Sequence, residues 1–268
     1  MDNEFFEFIC WNNSLPAAYH DALVCLNQAA IVPCPDWNTN QKECSMTLVV
    51  EKPLQEPLIS KCSFCDPRSL EQYRQEMLDG ILDFEVDKGK WAYTYHDRMA
   101  RYPIDNQIKF PGEPYKDQIQ FIIDELKRNP YSRRAVIDIR DNSEDMYSDD
   151  PACLQHLQFF IRNDKLHLKV LFRSNDACKA TFMNAFALIM IQKKIADELG
   201  VEIGTYTHRA NSFHCYEKDF PMLEQYVNRI KIAAAASDVA YYYNGYWKEL
   251  MEEEQPEIEK MVASLKKI

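Results

Sequence analysis

Apolar residues recur at helical spacing in several stretches of the chain, separated by runs that alternate like strands. Leu70, Tyr73, Met77 and Ile81 follow the start signal Asp66-Pro67 and predict a helix over 69–82. Ile119, Ile122, Ile123 and Leu126 share one face of a helix over 117–128, which Asn129-Pro130 ends. The most apolar helix is expected over 182–199, where Phe186, Ile189, Met190, Ile191 and Ile195 crowd together before a Gly200 cap. Further helices fit 17–30, 220–232 and the charged tail 247–268. Strands are expected over 45–51, ended by Pro53, and over 135–139, 157–161 and 166–172. The last two flank Arg-Asn-Asp-Lys, which favours a hairpin turn. The rest of 1–45 reads as irregular, with a loop rich in Pro, Asn and Cys.

No internal repeat, low-complexity tract or linker divides the pattern, so one α/β domain over 1–268 is the simplest organisation. Within it, 1–45 forms a divergent amino-terminal part and 220–268 a helical carboxyl-terminal part. With 46% hydrophobic and 27% charged residues, 268 residues are enough to bury a sizeable core. A formal net charge of -11 argues against a strong nucleic-acid footprint, so an anionic ligand would need a local basic cluster. The acidic start Met1-Asp2-Asn3-Glu4 is unlike a secretory signal, and no apolar run approaches the roughly 20 residues of a membrane span. A cytoplasmic protein without membrane contact is expected.

Nine cysteines, an odd number without small-scaffold spacing, predict reduced thiols. Cys62-Ser63-Phe64-Cys65 has the spacing of half a zinc site or a redox pair, but lacks a second CxxC or HxxxH, and no metal is expected. Only six glycines occur, none placed for GxGxxG or a Walker loop, and HExxH, GxSxG and kinase signatures are missing.

The candidate chemistry centres on Cys153, which follows Pro151-Ala152 and opens a strand. Arg173-Ser174-Asn175-Asp176, Asn184, His214 and Tyr216 follow it. A thiolate can add to carbon 6 of a pyrimidine and turn carbon 5 into a nucleophile. Nearby arginines are expected to favour that thiolate. A monophosphate wants guanidinium and hydroxyl donors, which Arg173 with Ser174 and the pair Arg133-Arg134 offer. The Asn184 amide can donate to the carbonyl and accept the ring N–H of uracil, favouring uracil over cytosine.

Ser132-Arg133-Arg134, Pro151-Ala152-Cys153-Leu154 with Gln158-Phe159, Arg173-Ser174-Asn175-Asp176, Asn184-Ala185 and Phe213-His214-Cys215-Tyr216 together resemble the thymidylate synthase superfamily, which includes pyrimidine nucleotide hydroxymethylases. Tyr93-Thr94-Tyr95 and Arg-Ser-Asn-Asp-Ala are closest to the shorter archaeal-type synthases. The resemblance covers about 70–218. It implies a mixed α/β (α+β) fold whose large sheet packs helices on one side and offers its face to a homodimer. It implies Cys153 as nucleophile, Arg173 and Ser174 as phosphate grip, and Arg133 and Arg134 supplied across the dimer interface. Asp176 would contact base and reduced pterin, Asn184 would read the pyrimidine edge, and His214 and Tyr216 would hold the sugar hydroxyl. Glu76 is the candidate general base, with Tyr95 in the same water network.

The implied activity is methylation of dUMP to dTMP with 5,10-methylenetetrahydrofolate or a related reduced pterin. Alternatives are a uridylate or cytidylate hydroxymethylase and, remotely, an inactive nucleotide- or RNA-binding paralogue. Several positions depart from the family. Leu154 replaces the usual His, and Asp150 stands where many synthases carry Leu, so it either admits water or is a solvated loop acid. Residues 38–42 lack the phosphate-loop arginine, and Ser264-Leu265-Lys266-Lys267-Ile268 replaces the usual apolar carboxyl terminus.

Overall fold

The computed structural model describes residues 6–103 and 115–267; Met1 to Glu4 and Ile268, read above in the sequence, lie outside it. Seven strands form one mixed sheet: β1 (Glu7–Asn12), β2 (Ile31–Cys34), β3 (Thr39–Val50), β4 (Val136–Asp138), β5 (Leu154–Arg162), β6 (Lys165–Asp176) and β7 (Glu202–Tyr216). Their order is β1-β3-β7-β6-β5-β4, with β2 paired to β3. The β1/β3 and β6/β7 pairs are parallel and the others antiparallel. The mixed α/β class expected from the sequence is the fold observed.

Local chemistry explains the element ends. The helix α1 (Leu15–Asn27) starts where the Ser14 side chain accepts the Ala17 N–H. Asp66 and Ser69 form a reciprocal capping box on α2 (Pro67–Asp79), and Gly80 ends it in the left-handed region at φ 62°. Thr94 caps α3 (Tyr95–Ala100), and Asp117 caps α4 (Gln118–Arg128). The buried α5 (Thr181–Leu199) stops at Gly200, φ 67°. The β5–β6 hairpin turns through Asn163 and Asp164, at φ 52° and 55°, as its Asn-Asp chemistry predicts. Further helices are α6 (Phe220–Ile232), α7 (Lys248–Glu253) and α8 (Gln255–Lys267), with single helical turns at Phe84–Asp87, Asn142–Asp145 and Ala236–Val239. Among the described residues no helix is long and apolar enough to cross a membrane.

The core lies between one face of the sheet and α1, α2 and α5, filled by Phe159, Phe172, Phe182, Phe186 and Phe213. Gln192 reaches out of α5 to donate to the Leu166 and Gly204 carbonyls at 2.7 and 3.2 Å. Gly204 is required because a Cβ there would sit 2.8 Å from the His167 ring.

Four strands differ from the sequence reading. The whole of β7 was unmarked, β1 and β2 fell in the stretch read as irregular, and β3 starts six residues earlier than the run over 45–51. On β7 the core-facing positions include Tyr206 and His208, and the opposite face carries Thr205, Thr207 and Arg209. The alternation is present, but its buried members include the polar side chains of Tyr206 and His208, which become acceptable only once paired.

Candidate active site

Because β6 and β7 run parallel, their carboxyl ends arrive at the same edge of the sheet, with Ser174 beside Ser212 and Asp176 beside His214. Cys153 stands at the adjoining start of β5, and its carbonyl accepts the Arg173 N–H at 2.9 Å. The Arg173 guanidinium donates to the Ala152 carbonyl at 3.1 Å and the Pro151 carbonyl at 2.6 Å, bracing the loop in front of the thiol. Its Nη2 lies 3.8 Å from the carboxylate of Asp150, a largely exposed side chain.

Burial pushes the Cys153 thiol above its ordinary pKa; the Arg173 charge pulls it down and Asp150 pushes it further up. The expected help from arginine is present, but desolvation outweighs it. Alkylation of Cys153 by iodoacetamide should therefore speed up with pH along a curve centred above that of a free thiol. A midpoint below the free-thiol value, measured by peptide mass spectrometry, would contradict this account.

At the strand ends, His214 Nδ1 lies 3.4 Å from both the Ser174 and the Ser212 hydroxyls. Burial lowers the His214 pKa against the pull of Asp176. Its ring meets Tyr216 edge-on at 4.8 Å. Asp176 Oδ1 accepts the N–H groups of Cys178 and Lys179 at 2.9 Å each, fixing the turn into α5. Outside Tyr216 lies a cavity of about 320 Å³ lined by Trp37, Thr39 and Lys218, under the tip of the β2–β3 hairpin. That hairpin occupies the region where no arginine is present.

On the other side of the thiol, Asn184 projects from the first turns of α5 and is 5% exposed. The Tyr73 hydroxyl donates to its Oδ1. Tyr73 and Glu76 are neighbours on α2 at spacing i, i+3. Glu76 accepts from Gln72 at 2.8 Å, and burial raises its carboxyl pKa. A cavity of about 240 Å³ is walled by Tyr73, Glu76, Trp91, Tyr93 and Tyr95. The Tyr95 hydroxyl accepts the Leu154 N–H at 3.3 Å, and burial, with a lesser contribution that an ionised Cys153 would make, pushes the Tyr73, Tyr93 and Tyr95 hydroxyls up. Thiol and aromatic cavity therefore adjoin.

The family model described as Thymidylate synthase matches residues 66–243, more than half of the sequence. The chain belongs to the thymidylate synthase family. A protein named "Putative thymidylate synthase" from Methanocaldococcus jannaschii is 40% identical over 168 residues, 59% of this chain and 68% of that relative. One of the same name from Methanosarcina mazei is 29% identical over 234 residues, 86% of this chain and all of the relative. The protein named "Thymidylate synthase" from Bacillus atrophaeus is 31% identical over 119 residues, 44% of this chain and 52% of its own length. The thymidylate synthase family places the chain among transferases of nucleotide biosynthesis that bind a pyrimidine nucleotide.

Within this thymidylate synthase fold, Cys153, Arg173, Ser174, Asp176, Asn184, His214, Tyr216, Glu76 and Tyr95 gather around one edge of the sheet. Arg133 and Arg134 do not join them. Arg134 donates to Glu125 at 3.1 and 2.9 Å, and Ser132 donates to the same carboxylate at 2.5 Å. The Ser132 hydrogen bond and the Arg128 and Arg134 guanidinium groups hold Glu125 down at about 2. Arg133 is exposed, and its carbonyl accepts from Gln158 at 3.0 Å. In the sequence Tyr73 shows only as part of an apolar helix face. Its spacing from Glu76 was the available signal that it belongs to the site.

Proposed function

We propose that the protein transfers a one-carbon unit to carbon 5 of a pyrimidine nucleoside monophosphate, with dUMP as the preferred acceptor and dTMP as product. The observation that carries this reading is the placement of Cys153 between the braced Arg173 and an aromatic cavity containing a half-buried glutamate. Cys153 adds to carbon 6, and the electron pair released to carbon 5 attacks the one-carbon donor. Arg173 and Ser174 bind the phosphate, His214 and Tyr216 the sugar, and Asn184 the base edge. Asp176, with Oδ1 engaged by backbone N–H groups, offers Oδ2 to base and pterin.

The cavity walls of Trp91, Tyr93 and Tyr95 fit a planar ring, and Glu76 fits its polar edge. A methylene reduced folate, or related pterin, supplies carbon at the formaldehyde level and, for methylation, a hydride. Glu76, raised by its burial, exchanges protons with the base through water near Tyr95. Glu76→Gln should lower kcat about 10²- to 10⁴-fold. Wild-type kcat should fall with acidification at a pH above the ordinary carboxylate range, because protonation removes the base; an unchanged acid limb in the variant would remove Glu76 from that role.

A homodimer formed through the outer sheet face is part of the proposal, with the whole chain acting as one domain. Strand register aligns Ile9, Thr47, Arg209 and Leu171 in one row of that face and Trp11, Val49, Thr207, Lys169 and Gln158 in the next. Ile9 is 66% and Trp11 63% exposed, apolar area that a second copy would cover. The Arg133 carbonyl accepts from Gln158 on this face, which places the backbone of the Arg133-Arg134 pair beside the proposed interface; Arg134 would reach the partner's phosphate only by leaving Glu125. Sedimentation of the full chain at twice its own mass is the expected result.

Exposed Asp150 beside Arg173 and Cys153 favours a second reading, in which water captures the methylene adduct and gives a hydroxymethyl nucleotide. Mass spectrometry after incubation with dUMP or dCMP and methylenetetrahydrofolate separates the two. A methylated nucleotide with dihydrofolate supports the synthase; a hydroxymethylated one with tetrahydrofolate supports the second reading. No product from either base overturns both.

A further inference from the structure

Asn175 stands between Ser174 and Asp176, yet its own side chain is 3% exposed and faces a different set of partners. Its Oδ1 is 2.9 Å from His208 Nε2 and 2.9 Å from the Thr181 hydroxyl, while His208 Nδ1 is 2.9 Å from the Tyr206 hydroxyl. An amide oxygen only accepts, so His208 carries its proton on Nε2, and Nδ1 accepts from Tyr206. Phe172 stacks on the imidazole at 4.7 Å and 16°. Burial drives the His208 pKa to about 3, keeping the ring neutral. Tyr206, His208 and Thr181 are all at most 1% exposed.

These four side chains join the three elements that present the nucleotide-binding candidates. Asn175 belongs to β6, which ends in Arg173, Ser174 and Asp176. Tyr206 and His208 belong to β7, which ends in His214 and Tyr216. Thr181 opens α5, which carries Asn184 three residues later. On its other side β7 slips register with β3 between Ala210 and Phe213 before pairing resumes from Phe213 to Tyr216, so the network sits beside an irregularity that precedes the strand end. An apolar core would have supplied packing at this point without the desolvation cost of four polar groups. A hydrogen-bonded network instead favours one geometry of the groups it joins.

We propose that His208 is a positioning residue of the nucleotide site, holding the ends of β6 and β7 and the start of α5 in one arrangement through Asn175. This rests on the pyrimidine-nucleotide reading above. Asn175 transmits the effect, and His208 itself touches no substrate.

The test uses the full-length protein. Nitrogen-15 spectra of the histidines in the free protein should show His208 as the Nε2–H tautomer, unchanged down to pH 5; an Nδ1–H or protonated ring would overturn the proposal without any nucleotide being present. His208→Phe keeps the stacking surface and removes the donor, and should raise KM for dUMP about 10- to 100-fold with a smaller change in kcat. His208→Gln, which can both donate and accept, should recover most of that loss. A folded His208→Phe protein with unaltered KM, or a His208→Gln protein no better than it, would overturn the positioning role. If His208→Phe does not fold, Tyr206→Phe removes one hydroxyl only, and an unchanged KM in that variant has the same consequence. A wild-type protein that binds neither dUMP nor dCMP would reject the nucleotide reading, while the spectra still decide the network.

Discussion

Cys153→Ser is expected to lose at least about 10⁴-fold in turnover while keeping its affinity for the nucleotide within several-fold. The serine is nearly isosteric, but its hydroxyl is far less acidic than a thiol. Burial, which already opposes the Cys153 thiolate, would oppose an alkoxide more strongly. Binding should survive because Arg173 is braced by the Pro151 and Ala152 carbonyls, and Asn184 by Tyr73, contacts that do not involve sulfur. Calorimetry with dUMP and a single-turnover product assay give the two numbers. A serine variant with near wild-type turnover would refute covalent activation of the base; one that also loses the nucleotide would mean that the thiol binds substrate as well as attacking it.

Asn184→Asp should invert base preference. Tyr73 donates to Asn184 Oδ1, and this pins the amide so that its Nδ2 arm is the donor toward the base. That donor suits the uracil carbonyl and confronts the amino group of cytosine. In the aspartate variant the same arm becomes an oxygen that accepts from that amino group. At a site only 5% exposed the new carboxyl is pushed toward its neutral form, whose proton suits the bare ring nitrogen of cytosine. Each mismatched buried polar contact costs about 1–3 kcal/mol, so kcat/KM for dUMP should fall about 10²-fold or more while that for dCMP rises. Competition between the two nucleotides, followed by product mass, reads the ratio directly. An Asn184→Asp enzyme still preferring dUMP by the wild-type margin would take Asn184 out of base recognition.

Both expectations draw on residues legible in the chain and on an environment that was not. Helices α2, α4 and α5 could be placed because their signals are local. Asp66-Pro67 and Gly80, Asp117, and Gly200 act within a turn of the backbone they stop or start. The hairpin at Asn163-Asp164 is equally local, set by two residues that tolerate positive φ. By contrast β7, a central strand of the sheet, was not legible. Its buried His208 looks like a surface residue until Tyr206 and Asn175, 33 positions away, are brought beside it. Likewise the β2–β3 hairpin hides in a segment whose Pro and Asn suggest a loop, and only pairing with the rest of β3 makes it a strand.

The candidate groups of the site are legible in the amino-acid sequence: the thiol at 153, the Arg-Ser-Asn-Asp run ending at 176, the amide at 184, and the His-Cys-Tyr end at 216. Covalent spacing and residue type are properties of the chain, and they carry the family resemblance without any tertiary contact. Tertiary structure alone decided how those groups behave. It raised the Cys153 thiol, set half-buried Glu76 in one cavity wall with aromatic rings, oriented Asn184 through Tyr73, and left Asp150 exposed beside Arg173. Desolvation and hydrogen-bond orientation are sums over neighbours distant in sequence, and those sums exist only once the chain has closed around the site.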